Sequence, residues 1–430
     1  MRFPRSVAVF VALACTVAVA ACAPAGAGQE GGGAGVPLGA AKEDYVAALS
    51  DMEPVTLGFG GMTSGPNTPT VQAYVRYGEL VDEWSGGKIT FEFDFGGAKL
   101  TLDKMADGLG QGRMDMGTFV PAYQPDEWPV ANLGASLGFI GSGSPIAGRL
   151  ALLAARLDFA HSFEPLVQEM TEGGIVATMP IFQNNEARMH CVSATPLQSL
   201  ADLAGKRIRV ADSGQARMAE AIGMVPVSMV NAEMYQGLQR GVVDCAVNGV
   251  SAGFTGGYYD VVSSWTLENE ELVWTQTATA WGFGESMWNE LPLAARQLLW
   301  DTLPQLIEGQ VEASFGSTWD SLVAARDQYD VAVGEYGADV MQVAAQQHEE
   351  EKAAVAGNAE QQGVTDDGAA LVARYEDAYD RWYTIVTEEL GYTDTVTWGS
   401  YADEFDPATF DARPLADRMY EEILLPKRPA

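Results

Sequence analysis

Histidine is scarce in this 430-residue sequence: His161, His190 and His348 are the only three, and no two stand at metal-ligand spacing. There is no Gly-x-Ser-x-Gly elbow and no glycine-rich phosphate loop ending in Lys-Ser or Lys-Thr. Cys191 follows His190 directly, but neighbours on a strand point to opposite faces, which makes a poor nucleophile–base pair. Carboxylates are so numerous that an acid pair can be picked anywhere, so none is informative. Catalysis, a cofactor and a bound metal are therefore not expected. Positive charge is the second shortage, with 25 Lys plus Arg against 58 Asp plus Glu and a net charge of −33. That balance argues against nucleic acid or anionic lipid as a partner, and any cluster of cations then calls for an explanation.

Long apolar runs are also missing after the first two dozen residues. At the start, Arg2 and Arg5 precede an apolar stretch from about Val7 to Ala21, ending in small residues before Cys22. The stretch is too short for a mature transmembrane helix and has the three-part build of a secretory signal. Small residues before a cysteine resemble a bacterial lipobox, in which Cys22 becomes the lipidated N-terminus; an ordinary signal cut near Ala21 is the alternative. Residues 22–52 read as a Gly/Ala-rich tether. The mature chain is expected outside the cytoplasm, on the outer face of the cytoplasmic membrane or in the periplasm. Cys15 leaves with the signal and Cys22 takes lipid. Cys191 and Cys245 remain, either bridged or as two small buried side chains.

Removing residues 1–21 leaves roughly 410, enough for two domains with cores of their own. "EPVTLGFGG" reads as a strand running into a glycine turn. A helix through "TPTVQAYVRYGELVDEWSGG" follows, with Thr70 as its expected N-cap, then the strand "KITFEFDFGG", a short helix and the strand "RMDMGTFV". This β-α-β-α-β order favours a mostly parallel sheet with ligands at its strand ends, where Phe59, Thr118, Val120 and Tyr123 fall. A second run of the same kind begins near residue 173. From Trp288 the chain turns helical, with Pro304 marking a kink or junction, and its Pro-rich end is expected to wrap back over a surface.

Within the second run, "KRIRV" alternates, putting Arg207 and Arg209 on one face and Ile208 and Val210 on the other. The surrounding "LADLAGKRIRVADSGQARMAEAIGMVPVSMVNAEMYQGLQRGVVDCAVNG" resembles the signature region of the DctP-like substrate-binding proteins of tripartite ATP-independent periplasmic (TRAP) transporters. The matching residues are Asp202, Gly205, Arg209, Gly223, Pro226, Glu233, Tyr235, Leu238, Gly241, Val243, Asp244 and Asn248. The resemblance covers about residues 54–330.

It implies an α/β fold of two lobes, of the class II periplasmic-binding-protein type, with long helices joining the lobes. Lobe I would take 53–186 plus about 275–314, and lobe II 187–274 plus about 315–350. Residues 351–430 would form a helical C-terminal extension longer than the family usually has. The implied function is capture of a small organic acid between the lobes, by a monomer, for delivery to a TRAP membrane permease. Arg209 would be the carboxylate clamp, since a planar guanidinium offers two parallel N–H donors and an unmatched buried cation is costly. Arg207 reads as a solvated surface residue. Asn248 would face the ligand, and Arg188 aligns with a second ligand-facing arginine if one residue is inserted before "SATPLQSL". Asn231 stands where an apolar or aromatic residue is common, which suggests a more polar or hydroxylated ligand. Cys245 and Gly249 replace the usual Gly and Pro, and the aromatic-rich stretch of the metal-assisted subgroup is absent. Dicarboxylates, oxo acids, sugar acids and aromatic acids all stay open. So do an ABC-type or sensor-linked binding protein and, from another class, a secreted two-lobe hydrolase.

Overall fold

The computed structural model describes residues 34–62, 65–182, 187–268 and 271–430. The signal segment and Cys22 lie outside the described residues. Two sheets organise the chain. The first holds β1 (Val55–Met62), β2 (Ile89–Phe95), β3 (Met116–Phe119) and β4 (Ile175–Met179). The second takes β5 (Arg188–Cys191), β6 (Arg207–Val210), β7 (Val225–Ser228), β8 (Cys245–Asn248) and β9 (Ser264–Leu267). The chain then returns to the first sheet with β10 (Ala280–Gly284) and to the second with β11 (Ala332–Glu335). Spatial order is β2-β1-β3-β10-β4 in one and β11-β9-β5-β8-β6-β7 in the other. β1 runs parallel to β2 and β3, whereas the returning β10 is antiparallel to both its neighbours. The fold is α/β, in two lobes that the chain crosses between repeatedly.

Strand patterning follows from burial. In β6, Ile208 and Val210 pack into an apolar cluster with Met189, Leu203 and Trp274. β1 alternates too, with Leu57 and Phe59 buried on one face, until its glycine end. At its end Gly61 adopts φ +85°, and a Cβ there would stand 2.1 Å from the Thr118 carbonyl oxygen, so only glycine lets β1 and β3 meet this closely. The following helix, Pro69–Ser85, is capped by Thr68 rather than Thr70, because Pro69 has the fixed φ that suits the first helical position. Cys191 and Cys245 are direct register partners on β5 and β8 and are joined by a disulfide.

Long helices tie the lobes together. Leu303–Asp327, with Pro304 at its start, bonds the first lobe through Gln310 Nε2 to the Thr70 carbonyl (2.8 Å). It bonds the second through Ser321 Oγ to the Val250 carbonyl (2.7 Å). Ala338–Gln361 reaches both lobes as well. Its Glu351 pairs with Arg217 of the Ser213–Ala221 helix, and its His348 stacks on Phe139 at 4.2 Å. Gly368–Thr384 then lies along Ala147–Ser162, and the chain end returns to Asp301, which Arg428 pairs at 2.7 Å.

The tether expected over 22–52 gives way to packed chain well before its end. The Val36 N–H donates to Gln297 Oε1 (2.7 Å), and the Lys42–Ala48 helix buries Tyr45, whose hydroxyl bonds Asp301. Tyr45 and Leu49 are large enough to anchor a segment whose composition reads as a linker. Among the described residues, no helix is long and apolar enough to cross a membrane.

Candidate functional site

A cleft of about 270 Å³ opens between the lobes. One wall comes from the ends of β1 and β3 and the turn beyond them, with Gly61, Thr118, Val120 and Tyr123. The other comes from β6, β8 and the helix starts that follow, with Arg209, Gln215, Asn231 and Asn248. Strand ends of both sheets thus converge, as expected for ligand sites in open α/β sheets.

Arg209 is the only charged side chain among the described residues lining this cleft. It is 3 % exposed. Its Nε donates to the Met229 carbonyl (2.8 Å) and its Nη1 to the Val247 carbonyl (2.9 Å), which fixes the plane of the guanidinium. Of the five N–H groups these bonds use two, and the Tyr123 hydroxyl stands beside the rest, on Nη1 and Nη2. Burial pulls the Arg209 pKa down, against the fields of Tyr123, Tyr258 and Asp212. Asp212 is itself committed: it caps the Ser213–Ala221 helix through the Gln215 N–H and accepts from Thr277 Oγ1 (2.6 Å). No described carboxylate makes an ion pair with Arg209. A nearly buried cation with fixed orientation and open donors is suited to an oxyanion from outside the chain.

Beside it, Asn248 Nδ2 donates to Asn231 Oδ1 (3.0 Å), and Asn248 Oδ1 accepts from the Gly249 N–H (3.0 Å). The Tyr258 hydroxyl also reaches Asn231 Oδ1 (3.4 Å). On the facing wall, Tyr74 and Thr118 share a 3.3 Å contact. Trp281 lines the cleft as well, and its buried indole N–H has no hydrogen-bond partner among the described residues.

Six of the eight residues singled out from the sequence therefore meet here: Arg209, Asn248, Asn231, Thr118, Val120 and Tyr123. Two do not. Phe59 is fully buried and stands edge-on to Tyr74 at 4.8 Å, so it supports the wall from behind rather than lining it. Arg188 is 1 % exposed and turned away from the cleft. It pairs with Glu268 (3.3 Å), donates to the carbonyls of Ala187 (2.8 Å) and Gly143 (3.0 Å), and lies 4.7 Å from the Trp398 ring centre. Glu268 is pushed up to about 7 by burial, with Arg188 pulling the other way. Arg207 sits on the same strand face as Arg209 but grips Asp244 through Nε (3.1 Å) and Nη2 (2.8 Å), half in solvent.

Sequence reading missed Gln215, Tyr74, Trp281 and Gln310. Gln215 was within reach: it lies in the first turn after β6, where a strand end opens on the cleft, and its amide bridges to the Thr275 carbonyl (2.8 Å). The other three had no local signal: Tyr74 falls in the apolar repeat of its helix, and Trp281 and Gln310 come from segments that join the cleft only in the fold.

The sequence matches the family described as bacterial extracellular solute-binding protein, family 7 (DctP), over residues 60–314. Among curated proteins, it is 32 % identical over 93 residues to the uncharacterized protein YiiZ of Salmonella typhimurium. That match takes in 21 % of this chain and only 28 % of that protein. Among solved structures, a TRAP periplasmic solute binding protein from Desulfovibrio salexigens with bound orotic acid is similar at a TM-score of 0.63. It is 22 % identical, with 76 % of this chain and 99 % of that one covered. The sugar acid binding protein from Advenella mimigardefordensis, in complex with galactonate, gives 0.62 and 18 %, covering 76 % and 100 %. A TRAP solute binding protein from Rhodoferax ferrireducens with copurified benzoate gives 0.64 and 17 %, covering 77 % and 99 %. At these identities the structural likeness concerns the fold. The profile match, which takes in more than half of the residues, settles the family: the chain belongs to the bacterial extracellular solute-binding proteins of family 7.

Proposed function

We propose that this protein captures a small organic acid between its lobes and hands it to the membrane permease of a TRAP-type secondary transporter. The carboxylate is held by Arg209 and oriented by Asn248 and Asn231, with Thr118, Val120 and Tyr123 closing from the other lobe. The protein works outside the cytoplasm, anchored through a lipid on Cys22, as a binding protein and not an enzyme. One observation carries the reading: a single oriented guanidinium, buried in a two-walled cleft, with open donors and no acid paired to it among the described residues. The relatives' bound acids (orotic acid, galactonate and benzoate) each present a carboxylate, which is the chemistry such a group receives. Closure then needs only that the acid bind the shut form more tightly than the open one.

A thermal-shift screen of organic acids on the mature chain tests this. A binding acid raises the apparent stability by mass action, about 2.7 kcal/mol at a hundredfold excess over Kd. Selective stabilisation by a subset of carboxylates is expected. A screen in which carboxylates act no differently from their uncharged amides would remove Arg209 from its assigned role.

A further inference from the structure

The two buried arginines of lobe II are treated oppositely by their surroundings, and that difference bears on which acid fits. Arg188 lies directly opposite Asn248 in the β5–β8 register, so its backbone stands beside the cleft. Its head is withdrawn. Glu268 balances its charge, and Trp398 covers it from the C-terminal extension while donating its indole N–H to Gly143, the same carbonyl that Arg188 uses (2.7 Å). Asp394, four residues before Trp398, ties this segment to Ser144 Oγ (2.6 Å) and to the Ala147 N–H (2.8 Å). The withdrawn position is thus held from both sides.

What remains at the cleft, among the described residues, is one cation and many neutral hydrogen-bonding groups. Ten of the described lining residues are Thr, Tyr, Asn or Gln, and none is Asp, Glu or Lys. Trp281 adds a buried donor without a partner among the described residues. Hydroxyl groups donate and accept, so they match such a lining, whereas a second carboxylate would give up its hydration for neutral dipoles alone.

We infer that the cleft selects a hydroxylated monocarboxylate over the corresponding dicarboxylate, because Glu268 and Trp398 keep Arg188 out of the site. This rests on the capture reading given above. The selectivity is set by one guanidinium, without a described counter-ion, facing neutral amides and hydroxyls. It is a property of this chain's own extension, since Trp398 belongs to it.

The test is calorimetric titration of the mature protein with matched pairs that differ only in a terminal CH₂OH or COO⁻: galactonate with galactarate, and gluconate with glucarate, with benzoate as an acid lacking hydroxyls. At least one hydroxy monocarboxylate is expected to bind, with its dicarboxylate weaker by about 100-fold, as befits an unpaired ion in a desolvated site. Glu268→Gln keeps the shape of the Arg188 pocket but removes the balancing charge, and is expected to narrow that gap about tenfold. A dicarboxylate that binds as tightly as its partner in the wild type overturns the inference, as does benzoate binding ahead of every hydroxy acid. In either case loss of binding in Arg209→Ala leaves the capture reading standing. An unchanged gap in folded Glu268→Gln overturns the part assigned to Arg188. Absence of binding by any carboxylate overturns both the inference and the capture reading.

Discussion

Arg209 and Arg188 stand on neighbouring parts of one sheet, both at 3 % exposure or less, yet only one faces the cleft. Around Arg188 the protein has supplied an acid, two carbonyls and an aromatic face. Around Arg209 it has supplied two carbonyls and a tyrosine hydroxyl, and no acid in contact among the described residues. Burial is common to both and so says little about role. The missing counter-ion does, because the fold has left that part of the desolvation to be offset by something that arrives.

The strongest way to break this comparison is Arg188→Ala. It strands Glu268 in the interior, and removing one partner of a buried pair typically costs about 3–5 kcal/mol. Glu268 sits at about 7 against an unfolded value of 4.5, so it can relieve the loss by taking a proton. Denaturant unfolding should therefore register a larger deficit at pH 8 than at pH 6, while the folded fraction still binds its acid. Lost binding with intact stability would exchange the roles assigned to the two arginines.

Arg209→Lys probes the other half. An ammonium keeps the charge and loses the planar fork, so affinity should fall about tenfold to a hundredfold, one or more charge-assisted bonds being forfeited. Titration of any acid that stabilises the wild type measures this directly.

Acid lability adds a further contrast between buried groups. His161, His190 and His348 each donate Nε2–H to a carbonyl (Thr178, Asn248 and Val273), and burial holds each near 4 against 6.5 when free. Below 6.5 the unfolded chain takes up these protons first. Their contribution is whole above that value and shrinks as pH falls toward 4, by up to about 1.4 kcal/mol per pH unit for each. Glu268 has the opposite sign, since raising pH from 4.5 to 7 ionises the unfolded chain first and lowers stability. Between pH 6.5 and 4.5 the fall in Tm should therefore be steeper in Glu268→Gln than in the wild type, because the variant lacks one carboxyl of opposing sign. The smallest effect belongs to Arg207→Ala: its pair with Asp244 is half in solvent, and neither Tm nor affinity should move appreciably.

Much of this was legible before the coordinates. Arg209 could be placed because the alternation of "KRIRV" fixes a face and the motif around it fixes which end of the strand matters. Asn248 and Asn231 follow from the same stretch. Arg188 could not be, because its environment is assembled from Gly143, Glu268 and Trp398, three segments remote in sequence whose convergence no local pattern encodes. Phe59 illustrates a narrower limit: alternation shows that it is buried, but not that Tyr74 stands between it and the cleft. The packed Lys42–Ala48 helix escaped notice because it is short, follows a Gly/Ala-rich run and is held by a contact to Asp301 far along the chain.

The most direct measurement is a calorimetric titration of the best-binding acid into wild type and Arg209→Ala, each first checked for native circular dichroism. The account predicts that the variant remains folded and that affinity drops by about thirtyfold to several thousandfold, the charge-assisted contact being worth about 2–5 kcal/mol. Equal affinity in the two proteins would mean that the acid is held elsewhere, and that the lone guanidinium of the cleft is not what receives it.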